Sequence, residues 1–90
     1  MKVRFTDSAV YDLKRLKRFI ERNNPAKAKT VRQTVLKIIN QLLEHPQSGR
    51  DVEALPGVDE VYRNKYIVRY CVENNELIVL RIWHELEDRE

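Results

Sequence analysis

Leu77-Ile78-Val79-Leu80-Arg81-Ile82-Trp83, running straight into His84, is the stretch on which the fold turns. Its aliphatic and aromatic residues, interrupted by one arginine, have the composition of a largely buried strand. Two similar runs precede it, at 58–63 and 66–72, separated by Asn64-Lys65 and by Glu73-Asn74-Asn75-Glu76. Connections this short join strands that lie side by side and run in opposite directions, which predicts a three-strand antiparallel meander.

Alternation along these runs assigns faces. Tyr66, Val68, Tyr70 and Val72 share one face of the middle strand, and Ile67, Arg69 and Cys71 share the other. In the last strand Ile78, Leu80 and Ile82 oppose Val79, Arg81 and Trp83. One face must cover helices. The other carries Arg69 and Arg81 on neighbouring strands, and we expect these guanidinium groups to share a concave surface with one or two tyrosines or with Trp83. Such a surface would receive phosphate or carboxylate, which guanidinium forks bind bidentately. The plainer alternative pairs these arginines with Glu60, Glu73 or Glu76 as ordinary cross-strand ions.

Upstream, Lys2-Val3-Arg4-Phe5 alternates polar and apolar residues as a short strand, and Thr6-Asp7-Ser8 offers capping oxygens for a helix start. Val10, Leu13, Leu16, Phe19 and Ile20 form an apolar stripe, with Lys14, Arg15, Lys17, Arg18 and Arg22 around it. Asn23-Asn24-Pro25 ends this helix, with Asn24 placed to cap the next. Ala28, Val31, Val35, Ile38, Ile39 and Leu42 keep the helical period up to His45-Pro46, predicting one longer second helix. Residues 46–58 hold both glycines and two of the three prolines and read as a connecting loop. The expected fold is therefore α+β: a short strand, a basic helical hairpin and a three-strand meander, with the helices on one face of the sheet, in a single domain over residues 1–90.

Ninety residues with 42% hydrophobic and 34% charged content suit one modest core. No stretch nears the roughly 20 apolar residues of a membrane span, and the N-terminus lacks a signal-peptide apolar region, so a cytoplasmic protein is expected. The one cysteine, Cys71, reads as a buried structural thiol. His45, Cys71 and His84 have no metal-ligand spacing, and no glycine-rich phosphate loop is present, so neither a metal nor a cofactor is expected. The net charge of +3 is unevenly spread. Residues 1–50 carry 12 Lys/Arg against 4 Asp/Glu, a balance of +8, and residues 51–90 carry 5 against 10, a balance of −5. A basic half of this size can dock nucleic acid or an acidic protein, or can simply be a solvated helical face.

His84 stands just past a strand end, where an imidazole could act as a general acid or base. Trp83, Tyr66 and Tyr70 could stack on bases, although aromatics at strand spacing more often fill a core. The tail from Glu85 onward reads as a solvated terminus in which Leu86 hints at docking.

The order of elements, together with Ala9, Asp12-Leu13, Asn24-Pro25-x-x-Ala28, Leu42-Leu43-x-x-Pro46-x-x-Gly49-Arg50, Gly57, Tyr66-x-x-x-Tyr70 and Leu80-Arg81-Ile82-Trp83-His84, resembles the RelE/ParE toxin superfamily of bacterial toxin-antitoxin modules. The resemblance implies a small cytoplasmic toxin, held inactive by a cognate antitoxin whose extended or helical segment lies over it. Members of the RelE branch cleave mRNA on the ribosome, with a basic residue in the middle strand and Arg, Tyr, His or Lys near the C-terminus. Members of the ParE branch lack that set and poison DNA gyrase. This chain has Ile67 where the ribonucleases often carry arginine, which favours the ParE branch. The resemblance thus implies DNA gyrase as target and a binding surface around Arg50, Arg63, Lys65, Arg69, Arg81, Trp83 and His84. The alternative is a ribosome-dependent endoribonuclease acting on mRNA, in which His84, Arg81 and Arg69 would be catalytic.

Overall fold

The computed structural model describes residues 1–89. Strand β1 (Lys2–Phe5) leads through Thr6 into helix α1 (Asp7–Asn23). The Thr6 hydroxyl accepts the Ala9 amide at 3.1 Å and donates to the Leu80 carbonyl at 3.0 Å, so one side chain caps the helix and ties its start to the sheet. Asn24 ends α1 and caps α2 (Pro25–Ala28), whose first position holds the proline. The single second helix expected from periodicity is in fact two. Lys29 and Thr30 form a turn, and α3 (Val31–Glu44) starts afresh. The cause is local: the Thr30 hydroxyl and amide both bond to the Lys27 carbonyl, at 2.9 and 3.0 Å, the tighter three-residue pattern that takes this oxygen out of an α-helical ladder.

Strands β3 (Asp59–Arg63), β4 (Tyr66–Glu73) and β5 (Glu76–His84) form the expected meander. Its turns are two residues long, with Asn64, Lys65, Asn74 and Asn75 all at φ between 50° and 71°, the left-handed backbone that matches the twist of a tight hairpin. Where four strands were expected, five occur, because Arg50–Asp51 in the connecting loop adds a short β2 beside β3. The order is β1-β5-β4-β3-β2, with β1 parallel to β5 and the other pairs antiparallel.

The helices cover one face. The core joins Ala9, Leu16 and Ile20 of α1, Val31, Val35, Ile38, Ile39 and Leu42 of α3, and Val61, Tyr66, Val68, Tyr70, Leu77, Val79 and Ile82 of the sheet. The α1 stripe is rotated from the sequence reading. Val10 is 42% exposed, and Ala9 and Asp12 lie inward with Leu16 and Ile20.

Strict alternation also fails in β5. Arg69 pairs with Arg81 but Tyr70 pairs with Val79, so Leu80 is the extra residue of a bulge. Leu77, Val79 and Ile82 therefore all reach the core, whereas Ile78, Arg81 and Trp83 lie on the outer face, and Ile78 does not share a side with Ile82 as expected. Tyr70, fully buried, donates its hydroxyl proton to the Pro46 carbonyl at 2.7 Å and accepts the Gly49 amide at 3.0 Å, which moors the connecting loop over the sheet. Cys71, expected inside, lies half-buried on the outer side of β4, because its neighbours there are Ile78 and the edge strand rather than a helix. Burial still pushes its thiol up.

Candidate functional site

Among the described residues no helix covers the outer face of the sheet, so its cover is built from charge. Register aligns Arg50, Glu60, Arg69 and Arg81 in one row across β2, β3, β4 and β5. The next row is Tyr62, Ile67 and Trp83. Trp83 is only 4% exposed, because three guanidinium groups stack around its ring: the central carbons of Arg69, Arg81 and Arg89 lie 5.0, 4.9 and 4.9 Å from the ring centroid. The indole face is electron-rich, so each cation both shields and is held by it.

Carboxylates hold the cations in place. Glu60 takes Arg69 at 2.6 Å and Arg89 at 3.1 Å, folding the tail back across the sheet. Asp12, 1% exposed, receives Arg81 through Nε at 2.8 Å, the Ile82 amide at 2.8 Å, and Arg15. Arg15 also donates to the Ile82 carbonyl at 2.8 Å and grips Glu87 through two bonds of 2.8 and 3.1 Å. Beyond the end of short β1, the open edge of β5 is thus satisfied by side chains of α1 in place of a neighbouring strand. Burial works to raise the Asp12 carboxyl, but the bonds from Arg81, the Ile82 amide and Arg15 outweigh it and hold the group below its ordinary range. Glu87 is likewise lowered, burial being outweighed by Arg15 and the His84 amide. The tail, read as a solvated terminus, is in this respect a structural strap, although Leu86 itself is 72% exposed.

The sequence candidates fall into three places. Arg69, Arg81 and Trp83 come together on the outer face, joined by Arg50 through the shared row. Tyr66 and Tyr70 do not join them, since both point into the core. Arg63, at the end of β3, donates to Ser48 at 3.2 Å and borders a groove with Arg50, Tyr62 and Ile67. His84 and Lys65 lie elsewhere. His84 is 8% exposed on the helix side, its ring 5.6 Å from that of Phe19 and 5.2 Å edge-on from that of Tyr66, and it borders a separate cavity together with Lys65. His84 and the two strand arginines therefore lie on opposite faces of the sheet.

Asp12, Arg15, Glu87 and Arg89 were missed as parts of this surface. Asp12 left a legible trace, an acid one helical turn from both Ala9 and Leu16 on the buried side of α1. Among the described residues no group of three or more His, Cys, Asp or Glu gathers that would hold a metal ion, and no helix is long and apolar enough to cross a membrane.

A second surface lies between the helices. Val10, Leu13, Ala28 and Val31 line a groove of about 540 Å³ whose rim carries Lys14, Lys17, Lys29 and Arg32. It continues into a smaller recess of about 280 Å³ between Phe5, Val35 and Leu36.

The family described as ParE toxin of type II toxin-antitoxin system, parDE, matches residues 3–89. Among solved structures, a chain of one titled "Chromosomal ParDE TA system from P. aeruginosa" is similar in fold, with a TM-score of 0.80 and 24% identity over 93% of this chain and 95% of that one. No curated protein matches the sequence.

Proposed function

This chain belongs to the ParE toxin family of type II toxin-antitoxin systems, and from that premise we propose that it arrests growth by binding DNA gyrase through the outer sheet face and that a cognate antitoxin neutralises it. The observation that carries this reading is the state of the strand arginines. Arg69 and Arg81 are engaged by Glu60 and Asp12, and Ile67 lies between Tyr62 and Trp83 in the row beside them. A ribonuclease needs an uncommitted cation beside a proton-transfer group at the scissile phosphate. Here the imidazole of His84 is on the other face, so the outer surface is better equipped to bind than to break bonds. Its aromatic and guanidinium groups are the residue types that anchor protein interfaces.

The interhelical groove suits the antitoxin. An apolar floor ringed by four cations fits an acidic amphipathic segment, whose apolar side would cover Val10 and Leu13 while its carboxylates meet Lys14, Lys17, Lys29 and Arg32. Purified protein added to gyrase and relaxed plasmid should block supercoiling, and translated message in a cell extract should remain whole. Message cleavage with supercoiling unimpaired would transfer the protein to the ribonuclease reading.

A further inference from the structure

The cavity on the helix side of the β5 terminus is independent of the outer face and has its own chemistry. It holds about 430 Å³ between the α2–α3 turn, the β3–β4 hairpin and the end of β5. Lys27, Lys37 and Lys65 line it together with Thr34, Tyr66 and His84, and no carboxylate among the described residues does. None of these lysines forms a salt bridge among the described residues, in a chain where the arginines around Trp83 are each paired with a carboxylate.

Two of the lining side chains are more than nine-tenths buried and yet incompletely bonded. His84 accepts the Leu86 amide on Nδ1 at 3.1 Å, which places the proton of its neutral ring on Nε2. Neither that Nε2 nor the Tyr66 hydroxyl has a hydrogen-bond partner among the described residues, and no buried polar side-chain atom is sealed away unsatisfied. Both groups therefore keep some exposure, and both residues line the cavity, where a ligand or solvent can complete them.

We propose that this cavity is a binding site for a phosphate group, with Lys27, Lys37 and Lys65 supplying charge and His84 Nε2, the Tyr66 hydroxyl and Thr34 supplying directed hydrogen bonds. Three ammonium groups exceed what one carboxylate needs and match the charge of a phosphate or diphosphate. Lysine needs no planar match to its ligand and binds phosphate as a point charge. The phosphate comes from a free nucleotide or from a nucleic-acid backbone, since lysines read charge rather than bases. The proposal stands apart from gyrase binding, because it uses the opposite face of the sheet.

Calorimetric titration of the full chain with pyrophosphate, a nucleoside diphosphate and a ten-residue oligothymidylate tests it. Saturable binding of pyrophosphate is expected, weakened about fivefold to tenfold by each of Lys37→Gln, Lys65→Gln and Tyr66→Phe. Lys14→Gln, outside the cavity, should leave it unchanged. Equal affinity for pyrophosphate and the diphosphate, with none gained by the oligonucleotide, assigns the site to small ligands. Tighter binding of the oligonucleotide, still sensitive to Lys37→Gln, assigns it to a strand. The proposal is overturned if no phosphate probe binds, if a glutamate-rich peptide binds as well as pyrophosphate, or if the three cavity variants bind like the parent while keeping its melting temperature.

Discussion

Asp12 shows how one side chain can hold two layers together. Its carboxylate is almost fully buried, yet it faces two guanidinium groups and one amide of β5, so helix α1 is fixed to the sheet by charge as well as by Leu16 and Ile20. Replacing it leaves Arg15 and Arg81 without their buried partner, and because both arginines keep some contact with water the penalty falls below that of a fully enclosed pair. Asp12→Asn should lower unfolding stability by about 2–3 kcal/mol in urea titration at neutral pH. The acid limb follows in sign. Both Asp12 and Glu87 titrate lower folded than their ordinary values of 3.8 and 4.5. Their stabilisation is therefore complete above that range and is lost as pH falls through the folded values. Melting temperature of the parent should drop steeply below about pH 4.5, and that of Asp12→Asn less so. Parallel curves for the two proteins would show that the carboxylate contributes nothing to the acid transition.

At the scale of elements, the meander was legible because its turns are short: Asn64-Lys65 and Asn74-Asn75 leave no other pairing, and the register that joins Arg69 to Arg81 beside Trp83 follows from them. Two features were not legible. The bulge at Leu80 replaces one aliphatic residue by the next in a run where both suit a strand, so hydropathy carries no mark of it, yet it moves Ile78 to the outer side. The break at Lys29-Thr30 depends on a threonine bonding back to a carbonyl, a choice that an apolar period of 3.6 does not register. The folded-back tail was equally hidden, since Glu87 and Arg89 are charged residues that find partners only once α1 and β3 are in place. Gly49, noted in sequence as a loop residue and as a mark of the resemblance, has a tertiary reason. A methyl group there would come within 3.0 Å of the Tyr70 phenol, whose ring is buried and doubly hydrogen-bonded to the same loop. Gly49→Ala should destabilise by about 1–3 kcal/mol, the range for overpacking a filled site, read as a lower denaturation midpoint with unchanged slope. An unchanged midpoint would mean that the loop moves away from Tyr70 at no cost.

Across the whole molecule the charges sort by layer. The first fifty residues, with a balance of +8, supply the helices and the cationic rim of their groove, and the remainder, at −5, supplies most of the carboxylates that pin the outer-face arginines and the tail. The two faces thus present different fields: the helix side is open and positive, whereas the sheet side is largely compensated by ion pairs. An acidic antitoxin segment approaching the helices is drawn in from a distance, whereas a partner of the outer face must rely on contact with aromatic and aliphatic groups. The two encounters should respond differently to salt. With a Debye length of about 14 Å at 0.05 M and about 4 Å at 0.5 M, raising sodium chloride across that range removes most of the long-range attraction. Association of a fluorophore-labelled antitoxin, followed by stopped flow, should slow by about tenfold or more while its dissociation rate changes little. Lys14→Glu combined with Lys17→Glu should bring the low-salt rate down to the high-salt value, because it cancels the rim's net charge without touching the groove's floor. Equal rates at the two salt concentrations would show that the basic helices are only a solvated surface and that the antitoxin is recognised elsewhere.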